Sequence, residues 1–390
     1  MKILIFAEVY YPDVMGGGEF STKQMTEGLA KKGHEVIVYC LGNKTQEDEI
    51  EGVHIKRNYI NGVSEHFLSL CKNNRSVATF TPLEKIIRKR SDLYLDKKCY
   101  EVYRRIISKE KPNIVHTVSP MSYLGRINLW KAAYDLRIPI SHVCRGPNLL
   151  EMNFLGGRLD AYNRSRNAKA SEYLTALAAP SRYMLASHNR AGIRGQRFNE
   201  VIYNAVNMKP ITLTKEFIGE KENMVLYAGE ISEKKGINTL IEAVDGLEGV
   251  RLLLIGNGEM VDAIKRNGKT AVADWMDREA LYGYMRKAKA VILPSKWNEP
   301  FGRILIEAIY NGTIAIGSDR GGIPEVLDFD GDYIFHDGDK DGLRGRIERV
   351  MGMSTSAYMD EALKQQKMAE RFSDDIYIEN WERFFLNQIC

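Results

Sequence analysis

Short apolar runs alternate with stretches of helical spacing along most of the chain. KILIFAE has the continuous apolar character of a buried strand, Glu19 to Lys32 has helical spacing, Gly33 stops it, and HEVIVYC is the next strand. A strand–helix–strand unit of this kind implies a parallel sheet with helices on both faces. NIVHTV and IPISHV continue the alternation, and LAAPS and EVIYNAVN read as the last strands of the first half. A polar stretch, Met208 to Asn223 with Pro210 inside it, reads as a linker. Then the pattern restarts: MVLYAGE is a strand, INTLIEAV a helix, VRLLLIGNG a strand, KAVILPS a strand, GRILIEAIYNG a helix and TIAIGSD a strand. The expected class is α/β, with two Rossmann-like, doubly wound parallel-sheet domains over residues 1–207 and 208–374. Facing each other, they leave a cleft at the strand carboxyl ends, where ligands bind in open α/β sheets. The last segment, 375–390, carries Ile376, Trp381, Phe384, Phe385 and Ile389 at helical spacing, so a terminal helix packed back on the first domain is expected.

Composition narrows the class. A chain of 390 residues accommodates two domains, each able to bury its own core. With 44% apolar and 27% charged residues, wholesale disorder is excluded. A formal net charge of +4 argues against a dedicated nucleic-acid binder. Cys40, Cys71, Cys99, Cys144 and Cys390 are odd in number, scattered and without a CxxC pair, which excludes a zinc ribbon and fits a reducing cytosol. No apolar run reaches the ~18 residues of a membrane span, and the start reads as a first strand rather than a signal peptide. A cytoplasmic protein is expected. From Leu83 to Lys111, ten Lys or Arg stand against five acidic residues, with Leu83, Ile86, Ile87, Val102, Tyr103, Ile106 and Ile107 at helical spacing. That pattern fits peripheral contact with a membrane's inner face, and it equally fits helices with core-facing stripes and solvated basic faces.

The strongest chemical signal is Glu299-Pro-Phe-Gly-Arg-Ile-Leu-Ile-Glu307, behind the strand AVILPS. Glu299 falls in the loop before a helix and Glu307 about two turns along it. Gly302 lets a ligand approach the backbone. Free N–H groups around Phe301, Gly302, Arg303 and Ile304 form a helix amino terminus, which favours an anion such as a diphosphate. Each carboxylate can accept the hydroxyl pair of a ribose or hexose. A bare E-x7-E is common by chance; the strand, loop and helix context makes this one a candidate site. Gly16-Gly17-Gly18-Glu19 follows the first strand and opens a helix, and Gly256-Asn257-Gly258 is a strand-end turn too short for a dinucleotide fingerprint. His116 ends the run NIVH, which places it at a strand's carboxyl end, whereas His34 reads as structural. No metal-ligand cluster is read from the sequence.

PSKWNEPFGRILIEAIYNG followed by GGIPEV resembles the signature region of the retaining glycosyltransferases of family 4, the glycosyl transferases group 1. YYPDVMGGGEFSTKQMTEGLAKKGHEV, PNIVHTVSP, VIYNAVN, AGEISEKKGINTLIEA and LLLIGNGE extend the resemblance in order over nearly the whole chain. It implies the GT-B arrangement and assigns roles. Glu307 would bind the nucleotide ribose, Glu299 the transferred sugar, and Lys235 the donor diphosphate. Gly17 and Gly18 would approach the diphosphate and acceptor, Gly256 would border the base, His116 would line the sugar site, and Asn204 would lie near the hinge. Family members carry an arginine directly after the glycine occupied here by Gly229; this chain has Glu230. Arg303 or Arg145 would then supply the missing cation.

The implied reaction is transfer of a sugar from a UDP- or GDP-linked donor to a glycan or lipid-linked acceptor, with retained configuration. The donor is a co-substrate, and no cofactor is needed. Two alternatives share the architecture, a nucleotide-sugar epimerase and a catalytically weak nucleotide-sugar-binding protein; Glu230 favours the latter.

Overall fold

The computed structural model describes residues 1–13, 17–58, 97–118, 125–150, 157–268 and 270–389. They divide into two compact units, Met1–Tyr203 with Asp375–Cys390, and Asn204–Asp374.

The first unit is built on β1 (Lys2–Phe6), β2 (Glu35–Leu41), β3 (Gln46–Ile50), β4 (Val53–Asn58), β5 (Ile114–Val118), β6 (Ile140–Val143), β7 (Ala176–Ala179) and β8 (Phe198–Val201). They lie in the order β3-β4-β2-β1-β5-β6-β7-β8. Ile3, Leu4 and Ile5 have no exposure, so β1 is apolar on both faces, as a strand covered by helices on both sides must be. All pairings are parallel except β3 with β4. β3 reads QEDEI, and its charges blunt an exposed sheet edge. The expectation of a wholly parallel sheet is corrected there. An acidic strand has no apolar signature to reveal it.

The second unit carries β9 (Glu222–Ala228), β10 (Arg251–Ile255), β11 (Ala271–Ala273), β12 (Ala288–Leu293), β13 (Ile314–Ser318) and β14 (Ile334–Phe335), in the order β11-β10-β9-β12-β13-β14. Every pairing is parallel. Strand order therefore reverses between β9 and β12, as it does between β1 and β5 in the first unit. In sheets of this kind the crevice outside the carboxyl ends at such a reversal is where ligands bind.

The terminal helix Asp374–Ile389 belongs to the first unit. Its buried face is Tyr377, Trp381, Phe384, Phe385 and Gln388. Ile376 and Ile389 are 38% and 40% exposed, so the apolar stripe is rotated from the one the spacing implied, and Tyr377 takes the buried place. Tyr377 donates its hydroxyl proton to the Ser21 carbonyl at 2.9 Å, and Glu382 meets both Lys32 and His34. The stretch read as a linker is packed: Leu213 and Ile218 are buried, and the Ile211 N–H donates to the Tyr310 carbonyl at 2.9 Å.

Residues 83–96 of the basic segment lie outside the described residues. The remainder forms the helix Lys97–Glu110, whose Tyr103 and Ile107 are buried while its Lys97, Lys98, Arg104, Arg105 and Lys109 are exposed. Core packing thus accounts for its apolar stripe, with Val102 left half exposed. No helix of the described residues is long and apolar enough to cross a membrane.

Candidate functional site

Two loops at the β9–β12 reversal bring the principal candidates together. β9 ends at Ala228, and the chain turns through Gly229 and Glu230 into the single turn Glu233–Lys235. β12 ends at Leu293, and its loop runs to the helix Arg303–Tyr310. The N–H groups of Lys296 and Trp297 donate to the Lys234 carbonyl at 3.0 and 2.9 Å, stitching the two loops together. Lys235 Nζ then reaches Glu299 Oε1 at 2.6 Å and lies 4.6 Å from the Trp297 ring centroid. Both charged side chains are largely sheltered, at 15% and 11% exposure. A charge-assisted bond of this length, withdrawn from water, is among the stronger polar contacts a protein makes.

Glu299 is fixed from behind by the segment after β13. Its carbonyl accepts from the Gly322 N–H at 2.7 Å. A Cβ on Gly321 would stand 2.2 Å from that same carbonyl oxygen, and Gly321 has φ +62°. Only glycine satisfies both conditions, which is why GGIPEV belongs to the site. Ser318 ties the ends of β12 and β13 by donating to the Ser295 carbonyl at 2.6 Å.

Gly302 stands immediately before the helix Arg303–Tyr310 with φ +109°, a conformation strained for any residue with a side chain. Phe301 is buried with its ring edge-on to Phe372, and Ile304 packs against the second unit's core. Their side chains serve packing, so what they could offer a ligand is backbone. Glu307 is buried on the same helix, with Arg303 Nε at 3.4 Å and Arg278 Nη2 at 3.8 Å from its Oε1. The second unit thus gathers two sheltered carboxylates, each met by cations, on either side of one helix amino terminus.

The acid after Gly229 has its own partner: Glu230 Oε2 lies 3.0 Å from Lys234 Nζ. Arg303, which with Arg145 was the candidate to stand in for the missing arginine, lies beside Glu307 one turn on. Tyr227, Arg278 and Trp297 were missed by sequence reasoning. The Tyr227 hydroxyl donates to the Glu230 carbonyl at 2.7 Å, and burial, then the charges of Glu299 and Glu230, push it well above the usual phenol range. Its position two residues before Gly229, on the same strand face, was the available signal. Arg278 and Trp297 had none, being one of many arginines and a loop aromatic.

Gly256 meets a packing demand, since a Cβ there would sit 1.9 Å from the Gly229 carbonyl oxygen. In the first unit, Gly17 and Gly18 open the helix Gly17–Lys31, and Gly16 lies outside the described residues. Among the described residues no atom comes within 4 Å of a Cβ placed on Gly17, and a Cβ on Gly18 would meet Arg145 at an ordinary 3.5 Å. Asn204 is the first residue of the second unit.

His116 is placed differently from expectation. It sits in the middle of β5, with no exposure. Its Nδ1 is 2.9 Å from Ser141 Oγ, and its ring packs 5.1 Å from both Trp381 and Phe385 of the terminal helix. Burial, then the Arg145 charge, hold it neutral, well below the usual imidazole range. A ring walled in this way does not line a sugar site. NIVH is not the strand's end, because Thr117 and Val118 continue it.

Among the described residues, one group has metal-ligand character: Asp319, His336 and Asp337, with ligand atoms within 4.8 Å of one another. It is largely exposed and internally paired, His336 to Asp319 at 2.7 Å and Arg320 to Asp337 at 2.9 Å.

Comparison with known proteins agrees with this layout. The profile of Glycosyltransferase Family 4 matches residues 15–209, and that of Glycosyl transferases group 1 matches residues 209–374. An uncharacterized 42.6 kDa protein in the cps region of Klebsiella pneumoniae is 25% identical over 341 residues, covering 84% of this chain and 87% of its own. The lipopolysaccharide 1,2-N-acetylglucosaminetransferase of Salmonella typhimurium is 27% identical over 192 residues, covering 42% of this chain and 50% of its own. Among solved structures, HepE of Anabaena in complex with UDP-glucose superposes with a TM-score of 0.68 at 17% identity, covering 99% of this chain and 100% of that one. The two profiles divide almost the whole chain between them in the order of the two units, and the protein belongs to glycosyltransferase family 4, the glycosyl transferases group 1.

Proposed function

We propose that this glycosyltransferase moves a sugar from a UDP- or GDP-linked donor to a hydroxyl of a glycan or lipid-linked acceptor, with retained anomeric configuration. The observation that carries the reading is the meeting of Lys235 and Glu299 at 2.6 Å beside the amino terminus of the helix that bears Glu307. This arrangement suits a diphosphate: a cation and a helix amino terminus together, with a carboxylate able to accept hydroxyls in the loop before the helix and another along it. The Anabaena protein of like fold is described with UDP-glucose, which favours a nucleotide-sugar donor. The name of the Salmonella relative favours lipopolysaccharide synthesis.

In this reading Glu307 holds the ribose and Glu299 the transferred sugar. Lys235 exchanges part of its bond to Glu299 for the diphosphate. The anomeric carbon–oxygen bond breaks, and its electron pair passes to the departing phosphate oxygen. Lys235 and the N–H groups of the helix Arg303–Tyr310 stabilise that charge because they are already aimed at it. The acceptor oxygen bonds to the anomeric carbon on the same face, and its proton goes to the departing phosphate oxygen. No protein base and no metal takes part in a step.

The test is a thermal-shift panel of UDP-glucose, UDP-galactose, UDP-N-acetylglucosamine and GDP-mannose, followed by acceptor trials and NMR of the product anomer. A true donor at a hundred times its Kd stabilises the fold by about 2.7 kcal/mol. Silence from every donor, or an inverted product, overturns the proposal.

A further inference from the structure

Lys235 is held by more than its carboxylate. Its Nζ lies 4.6 Å from the centroid of the Trp297 ring, while Glu299 Oε1 is 2.6 Å away. Trp297 is half-buried and fixed at its own backbone, because its N–H donates to the Lys234 carbonyl at 2.9 Å. The Lys296 N–H donates to the same carbonyl. One residue after the lysine, a Cβ on Gly236 would overlap the Pro294 carbonyl oxygen, and Gly236 has φ +72°. Only glycine lets the two backbones come this close. The turn that carries Lys235 and the loop that carries Trp297 and Glu299 are therefore locked together on both sides of the lysine.

The two partners of the ammonium respond differently to an anion. A carboxylate and a diphosphate compete for the same N–H donors, so an arriving diphosphate draws the ammonium away from Glu299. The face of an indole attracts a cation through its quadrupole and needs no hydrogen bond. Its attraction persists while the hydrogen bonds are exchanged. Without the ring, a lysine leaving Glu299 would have its flexible stem to order at the moment of binding, and that ordering subtracts from affinity. The ring thus contributes more with the anion present than without it, which is the condition for an effect on binding.

We infer that Trp297 is a positioning residue, whose ring retains the Lys235 ammonium while the hydrogen bonds of that ammonium pass from Glu299 to the diphosphate. The inference rests on the proposed role of Lys235. Indole and benzene faces both attract a cation, the indole more strongly, and an aliphatic side chain does not. Phenylalanine at this position therefore keeps part of the effect and leucine none.

The test uses the full chain with Trp297→Phe and, separately, Trp297→Leu. Binding of UDP, GDP, uridine and guanosine is measured by calorimetry. The place of the ammonium is read by NMR from the Lys235 Cε protons in lysine-labelled protein, assigned by their loss in Lys235→Arg. In the ligand-free wild type the ring should displace these protons upfield; the displacement should be reduced in Trp297→Phe and absent in Trp297→Leu. For the diphosphate that the wild type binds, affinity is expected to fall about threefold in Trp297→Phe and about tenfold in Trp297→Leu, the scale of a sheltered cation–π contact. Affinity for the matching nucleoside is expected to stay within about twofold of the wild type in both. Equal losses in the two variants overturn the inference. So does wild-type diphosphate affinity in Trp297→Leu, or a loss of nucleoside affinity that matches the loss for the diphosphate. If Trp297→Leu does not fold, Trp297→Phe decides by the same comparison of diphosphate with nucleoside. A wild-type protein that binds neither UDP nor GDP would instead sink the functional proposal, and the Cε protons would still decide whether the ring holds the ammonium.

Discussion

Lys235 and Glu299 are 64 positions apart in sequence, yet in the folded chain each is the other's nearest charge partner. This has a consequence for substitution. Lys235→Ala leaves a sheltered carboxylate without its cation, so the ligand-free protein should itself lose stability. The donor-induced thermal shift should vanish as well; a full shift in Lys235→Ala would show that the diphosphate is held elsewhere. Glu307→Gln keeps shape and removes charge. Loss of a charged hydrogen bond to ribose costs about 1.5–3 kcal/mol, so calorimetry should show UDP affinity falling by roughly tenfold to a hundredfold. A third residue-scale expectation concerns His116, His142 and His188, all buried and all lowered by that burial, His188 to about 4. The unfolded chain titrates near 6.5 and takes up protons that the folded chain refuses. The stability these groups confer is therefore complete above pH 6.5 and is lost as pH falls through the folded values. Urea midpoints should drop steeply between pH 6.5 and 4, with about three protons bound on unfolding. A flat profile would mean that the rings are hydrated.

At the scale of elements, the terminal helix closes the first unit against the helix Gly17–Lys31. The contact is tight at Gly28, where a Cβ would stand 2.3 Å from Ile378 Cδ1 and 2.4 Å from its Cγ1. Alanine is the better helix former by about 1 kcal/mol, so helix propensity alone would make Gly28→Ala stabilising. The structure argues the opposite: the melting midpoint should fall, because the helix must move or Ile378 must leave its rotamer. A raised midpoint would show that the two helices have slack. The same pair of helices shows why some elements could be read from spacing and others not. Trp381, Phe384 and Phe385 announced a helix, but spacing alone could not choose between Ile376 and Tyr377 for the buried face. The tyrosine won because its hydroxyl finds the Ser21 carbonyl.

Across the whole molecule, the two-sheet architecture was written in the repeated alternation of apolar runs with helical spacing, since strands covered on both faces must be apolar throughout. What failed to register was short or polar: the acidic edge strand β3, its partner β4 (VHIKRN), the three-residue β11 and the two-residue β14. The site divides in the same way. Glu299, Gly302 and Glu307 stand together in one strand–loop–helix passage and were found from it. Tyr227 and Arg278 come close to those residues only through the fold. His116 was misplaced because a four-letter run does not show where a strand ends. The central claim is that the diphosphate of a nucleotide sugar sits at the amino end of the helix Arg303–Tyr310. Its most direct test is a crystal structure of the wild-type protein with UDP. The account predicts pyrophosphate oxygens within hydrogen-bond reach of Lys235 Nζ and the N–H groups at 302–304, with the ribose on Glu307. UDP bound anywhere else, with Lys235 still closed on Glu299, would contradict it.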